Sequence, residues 1–198
     1  MVTAAYPEIQ KYLEANDFKN ILSWCTENEL RLQQDKFVKY YNVFLINYLI
    51  ANDITNARFL WNRIPSEIKG ADPHLKTIWA LAKYISQLNY AHIYKHLAIN
   101  FGPELAPFIN ELKVSFQRRV FDLISNSYSN ISIKDASLYL GISPEEVVRF
   151  TQTNGWEKDP SSDSVKPVPV KPVEQVGNGT KKIHSLTDYI KHVRIEEF

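Results

Sequence analysis

Asn52-Asp53-Ile54-Thr55-Asn56-Ala57-Arg58-Phe59-Leu60-Trp61-Asn62-Arg63-Ile64-Pro65 decides the fold, because it reads as one half of a helical hairpin. Asn52-Asp53 is a polar corner, and the Asp53 carboxylate suits an N-cap, where it accepts the first free amides of a helix. Ile54, Ala57, Leu60, Trp61 and Ile64 then fall on one face at helical spacing. Pro65 has no amide to extend the run and stops it.

The same register returns every 36 residues on either side of this stretch. Tyr12, Tyr48 and Tyr84 share a column, as do Asp17, Asp53 and Asn89. Apolar triples recur at Ile9/Leu45/Leu81, Leu13/Leu49/Ile85, Phe18/Ile54/Tyr90, Ile21/Ala57/Ile93 and Cys25/Trp61/Leu97. With the tyrosines, six of the 17 columns from 9 to 25 are apolar in all three copies. Chance would give roughly 1.5, and the period is near that of helix–turn–helix repeats. One hairpin cannot bury its own apolar face, so stacked copies would make the core and leave a concave surface for partners. The rival reading is an irregular helical bundle whose register is coincidence. Tyr48, Ala57, Leu60, Trp61 and Ile64 are the expected structural core. Trp61 is expected to be buried because its column also holds Cys25 and Leu97.

The 198 residues are 44% hydrophobic and 23% charged, enough apolar material for a core. Net charge is +1, with 16 basic and 16 acidic residues in 1–157 and 7 against 6 in 158–198. Neither part is a basic arm that would seek nucleic acid or an anionic membrane. Cys25 is the sole cysteine, which excludes an internal disulfide and a cysteine-based zinc site. Met1 to Glu8 lacks the basic and apolar regions of a signal peptide. The most apolar stretch, Tyr40 to Ala51, is broken by Asn42 and Asn47 and is too short to span a bilayer. No membrane is expected as a partner, and the expected compartment is reducing, cytoplasm or nucleus.

From Pro107 the pattern changes. Leu112, Phe116, Val120, Leu123 and Ile124 form a helical stripe, and Asn130-Ile131-Ser132-Ile133 alternates like a short strand. A helix from Lys134 to Leu140 stops at Gly141. Ser143-Pro144-Glu145-Glu146 starts another with a capping box. Trp156 begins a strand, and Asp159-Pro160-Ser161-Ser162 turns it back toward Val165. This is the element order of a winged helix. Its second helix offers Glu145, Glu146, Arg149, Gln152 and Asn154, and residues 110–157 hold five basic against six acidic residues. Such a surface cannot neutralise phosphates, so no nucleic-acid partner is expected. Protein docking through the small sheet fits better, with Ile131 and Ile133 as candidate interface residues. Lys113, Arg118 and Arg119 form the one basic cluster, read as a solvated face or an ion-pair site.

Residues 159–181 hold Pro160, Pro167, Pro169, Pro172, Gly177 and Gly179, the composition of an extended linker. Ile183, Leu186, Ile190 and Val193 then recur at spacings of 3, 4 and 3, with Tyr189 beside them. That seam suits a helix that assembles with helices of other chains. The expected organisation is mainly α: a helical-repeat (TPR/HEAT-like) part over 1–110, a winged helix over 111–166, a flexible linker over 167–182 and a C-terminal bundle helix over 183–198.

No catalytic constellation is visible, and neither a cofactor nor a metal is expected. His92-Ile93-Tyr94-Lys95-His96 puts two histidines on one face but has no activating glutamate between them. Cys25 has no histidine in its motif context, and the six glycines form no phosphate-binding loop.

The stretch 52–65 followed by Ile68-Lys69 closely resembles the signature of the subunit-8 family of the COP9 signalosome, a PCI-domain family. Ile78-Trp79, Ser127-Tyr128-Ser129, Leu138-Tyr139-Leu140-Gly141, Asn154-Gly155-Trp156 and Leu186-Thr187-Asp188-Tyr189-Ile190 agree in order with it. Residues 1–40 and the linker match weakly. The resemblance implies a PCI domain, helical repeats capped by a winged helix, in a non-catalytic scaffold. The implied partners are the other signalosome subunits. Subunit 3 would be the neighbour in an arc of winged helices, and the remaining subunits' C-terminal helices would form a shared bundle. The complex deneddylates cullins of cullin–RING ubiquitin ligases through a zinc-containing sister subunit, and residence in cytoplasm and nucleus is implied. The rivals are the corresponding small PCI subunit of the proteasome lid or of translation initiation factor three, and a winged-helix regulator that binds nucleic acid.

Overall fold

In the computed structural model, which describes residues 6–32, 34–159 and 163–168, the chain is mainly helical. The described residues all fall in one compact unit, Met1–Val168. Ile183, Leu186, Tyr189, Ile190 and Val193, and most of the expected linker 167–182, lie outside them.

Three pairs of helices share one kind of corner. They are α1 (Gln10–Glu14) with α2 (Phe18–Asn28), α4 (Tyr41–Ile50) with α5 (Ile54–Arg63), and α7 (Pro73–Ser86) with α8 (Tyr90–Leu97). The short helices α3 (Gln34–Phe37) and α6 (Ser66–Ala71), with a 3-10 turn at Val38–Tyr40, lie between the pairs. At each corner one residue takes the left-handed backbone: Asn16 at φ 52°, Asn52 at 60° and Leu88 at 53°. Its amide donates to the carbonyl three residues back, on Leu13, Leu49 or Ile85. The next amide, on Asp17, Asp53 or Asn89, donates to the carbonyl of Tyr12, Tyr48 or Tyr84 at 2.8, 2.8 and 3.0 Å. These are the two bonds of a Schellman ending. The same Asp17, Asp53 or Asn89 side chain then caps the following helix, accepting from the amide of Asn20, Asn56 or His92. One residue thus closes one helix and opens the next.

Burial follows these corners. Ile9, Leu45 and Leu81 are fully buried, and so are Ile21, Ala57 and Ile93. Tyr48, Leu60 and Ile64 are buried as well. Trp61 differs from the expectation: Cys25 and Leu97 in its column are buried, but Trp61 is only half-buried. A slot that holds a thiol or an isobutyl group cannot enclose an indole. The ring instead lies flat on Trp79 of α7, centroids 4.9 Å apart and planes within 5°.

At the centre, α4 has nine of its ten residues buried and packs against α2, α5, α7 and α9 (Ala106–Ser127). As one continuous helix, α9 crosses position 110, where the sequence boundary was expected to fall. After it come β1 (Ile131–Ser132), α10 (Ile133–Leu140), α11 (Pro144–Thr153), β2 (Glu157–Lys158) and β3 (Ser164–Lys166). The strands form an antiparallel sheet in the order β1-β3-β2, with Ile131 opposite Val165 and Glu157 opposite Lys166.

Leu88 occupies a corner position where a β-carbon is strained and is 55% exposed, so its side chain has little to lose. Leu88→Asn should raise unfolding stability by about 0.5–1 kcal/mol, and Asp53→Ala should lower it by about 1 kcal/mol. Urea titration of both variants is the check. A loss for Leu88→Asn would show that its side chain, not the corner, dominates there.

Candidate assembly surface

The module that follows α8 is fixed to the hairpins by tyrosines. The Tyr94 hydroxyl of α8 donates to the Tyr139 carbonyl at 2.8 Å, and the Gln117 amide of α9 donates to the Leu140 carbonyl at 2.8 Å. Gly141, which ends α10, has φ 63°, and a β-carbon there would overlap the Tyr94 ring. The ring therefore packs on bare backbone. Burial, with a smaller contribution from Tyr90, pushes the Tyr94 hydroxyl above its ordinary range, so it stays a donor. The Tyr90 and Tyr139 rings close the same junction at 4.8 Å.

The surface so held has two sheet edges, the outer sides of β1 and β2. Ile131 and Ile133 do not line it: each is 4% exposed. Ile131 pairs in register with the buried Val165, and Ile133 already belongs to α10, which Ser132 caps by accepting from the Asp135 amide. What β1 offers outward is main chain, and this corrects their placing as interface side chains. Glu157 and Lys158 of β2 are exposed. Val114, Leu123, Tyr128, Leu138 and Phe150 are exposed apolar side chains of this module, between 38% and 58% accessible. Leu123 belongs to the helical stripe of the sequence but not to its buried part. It adjoins buried Ile124, and helix neighbours point about 100° apart, which was the available signal.

Charge on this module is arranged against phosphate. Ser143 and Glu146 form a reciprocal capping box at the start of α11. The bond from the Ser143 amide holds the Glu146 carboxyl below its usual range, so two exposed acids, Glu145 and Glu146, stand at the helix entry. Arg119 is neither on a solvated face nor in an ion pair. Its guanidinium donates to the carbonyls of Ile50 and Leu49, at 2.7 and 3.2 Å, capping the C-terminus of α4.

Groups that could carry chemistry are otherwise engaged. Cys25 is buried, and desolvation, helped by Glu29, pushes its thiol up to about 12. His92 Nδ1 lies 2.9 Å from Asn89 Oδ1, and His96 Nδ1 lies 2.8 Å from the His92 carbonyl. Both rings pack on Tyr84. Among the described residues no three His, Cys, Asp or Glu side chains gather as a metal-ligand set.

The family model for CSN8/PSMD8/EIF3K matches residues 35–175, which takes in α4 through β3. The chain belongs to the CSN8/PSMD8/EIF3K family. COP9 signalosome complex subunit 8 of Dictyostelium discoideum is 44% identical over 188 residues, 94% of this chain and 96% of that protein. The subunit 8 of Danio rerio is 36% identical over 154 residues, 76% of this chain and 80% of the relative. That of Arabidopsis thaliana is 28% identical over 192 residues, 93% and 96% of the two chains. The resemblance read from the stretch 52–65 and the motifs after it led to this same family, and the names of these relatives are those of a complex subunit.

Two outcomes test the packing. Gly141→Ala should cost about 3 kcal/mol, combining left-handed strain with overlap onto Tyr94, and a melting temperature within error of wild type would refute the junction. For Cys25, a raised thiol pKa means its contribution to stability is whole below about pH 9 and lost as pH rises toward 12. The stability of wild type should therefore fall more steeply over that range than that of Cys25→Ala. Iodoacetamide at pH 8 should label Cys25 only in urea; labelling of the folded chain at the rate of a free thiol would show the site is open.

Proposed function

We propose that the chain is a non-catalytic scaffold subunit of the COP9 signalosome, the complex that deneddylates cullins of cullin–RING ubiquitin ligases. The observation that carries this reading is the likeness along almost the whole chain, 44% identity over 94% of it, to a protein named as subunit 8 of that complex. On this reading the hairpins with their shared corners are the helical repeats of a PCI domain, and α9–β1–α10–α11–β2–β3 is its winged helix. The open edges of β1 and β2 support docking by main-chain pairing, with subunit 3 as neighbour. The acidic entry of α11 speaks against nucleic acid as a partner.

The seam of Ile183, Leu186, Tyr189, Ile190 and Val193 would join a bundle of C-terminal helices from the other subunits. Isopeptidase chemistry would belong to a zinc-containing sister subunit, and the protein would reside in cytoplasm and nucleus. A small subunit of the proteasome lid or of translation initiation factor three is the second reading, favoured only by the breadth of the family description.

Affinity purification of the tagged full-length chain, with mass spectrometry and a cullin-deneddylation assay, separates these readings. Signalosome subunits and deneddylating activity should accompany the chain, and recovery of lid or initiation-factor subunits instead would overturn the proposal. Deleting 180–198, or Leu186→Asp with Ile190→Asp, should leave the melting curve of the body unchanged and weaken incorporation, because the charges would enter an apolar seam unpaired. Subunit 3 should remain bound. A much lower melting temperature on truncation would instead make the segment part of the body's own core.

A further inference from the structure

Trp61 on α5 and Trp79 on α7 are both half-buried and lie in a parallel stack. The Lys69 ammonium sits 5.0 Å from the centre of the Trp61 ring, and that of Lys83 sits 5.8 Å from the centre of Trp79. Beside the pair runs a groove with Ile54 and Ala82 as apolar lining, Arg58 and Lys83 as cations, and Ser86 and Gln87 as neutral polar groups. No carboxylate lines it. The ion pairs among the described residues are made by Glu8, Glu29 and Asp159, none of which reaches Arg58, Lys69 or Lys83. In residues 1–157 basic and acidic side chains balance, so this patch is a local positive excess on a neutral surface.

We propose that the Trp61–Trp79 pair, with Arg58, Lys69 and Lys83, is a docking site for an acidic peptide segment that also carries aliphatic side chains. Paired tryptophans concentrate apolar contact area in the way binding hot spots do. Three cations that form no ion pair among the described residues complement carboxylates, and the Arg58 fork can hold one through two bonds. Ile54 and Ala82 give an aliphatic side chain somewhere to go. A single-stranded nucleic acid would need a bare aromatic face for base stacking. Here each indole has its partner on one face and an ammonium over it, which leaves carboxylates as the better match. The site lies on α5, α6 and α7 and does not depend on the docking proposed for the α9–β3 module.

The test uses the full-length chain and an acetylated peptide that alternates glutamate with leucine. A lysine–leucine peptide of equal length and oligouridylate are the comparison probes. Binding of the acidic peptide should shift the indole N–H resonances of Trp61 and Trp79 and should weaken as salt is raised. Arg58→Glu with Lys83→Glu, both at exposed positions, should lower its affinity by about tenfold or more at an unchanged melting temperature. Lys83→Gln should give a smaller loss in the same direction. Absence of binding, binding that ignores the charge reversals, or equal binding of the lysine–leucine peptide would overturn the proposal. So would oligouridylate binding that the same reversals abolish, which would make the patch a nucleic-acid platform.

Discussion

The burial of α4 on every side is the constraint from which the arrangement of the helical body follows. Nine of its ten residues are out of water, so it needs neighbours all round, and α2, α5, α7 and α9 supply them. Each large side chain removed from solvent is worth about 1.5–3 kcal/mol, which no two-helix hairpin could collect alone. A helix in that position has only internal partners for its polar groups; among the described residues the side-chain N–H groups of Asn42 and Asn47 find them, while the Oδ1 atoms of both do not. Asn47 donates to the Val43 carbonyl one turn back, and Asn42 donates to Asp72 at 2.6 Å. Asp72 in turn caps α7 through the amides of His74 and Leu75. At the other end Arg119 reaches from α9 to the last carbonyls, placing a cation where the helix dipole is negative. The asparagines that interrupt a membrane-like run are therefore the links between the central helix and its own structure and surroundings.

The corners explain how such a helix acquires neighbours in a fixed register. Each corner uses a residue at positive φ and a side chain that caps the next helix, so the direction of exit is set by backbone bonds rather than by packing. Packing then selects which residues fill the shared interior. The tyrosines at 12, 48 and 84 owe their common column to this arrangement, in which the carbonyl of each receives the amide of the corner's Asp or Asn. Tyr48 is buried while Tyr12 and Tyr84 are half-buried, so the role held in common is that of the main chain.

Most of this was legible in the sequence where it rests on local physics. Caps, the Gly141 stop and the Ser143–Glu146 box depend on a few adjacent residues whose chemistry is unambiguous. Helical faces were legible where small and large apolar residues recur at helical spacing. What could not be read depends on distance through space. Nothing near Arg119 in sequence marks Ile50 as its acceptor, 69 residues away. Strand alternation indicates two faces for Ile131 and its neighbours without saying which face is covered, and the register with Val165 settles that Ile131 faces inward. The boundary near 110 was drawn where the hydrophobic pattern changes at Pro107, yet proline in the first turn begins a helix as readily as it ends one.

Trp61 shows what a departure from a shared column can mean. A column that encloses Cys25 and Leu97 enforces the same inward direction at 61, but the indole exceeds the space and spreads over α7. A residue chosen only for the core would fit the slot; leucine does so at 97. The indole adds to that packing a second half-buried aromatic surface against Trp79, with Lys69 and Lys83 at the rings and Arg58 in the adjoining groove, none of them in an ion pair among the described residues. Local agreement with a fold's own pattern is the ordinary state of a sequence, and residues that break it at no gain in burial are where a further demand shows. In this chain the break falls at the half-buried Trp61, beside the exposed Arg58 and Lys83 where the proposed acidic segment would dock.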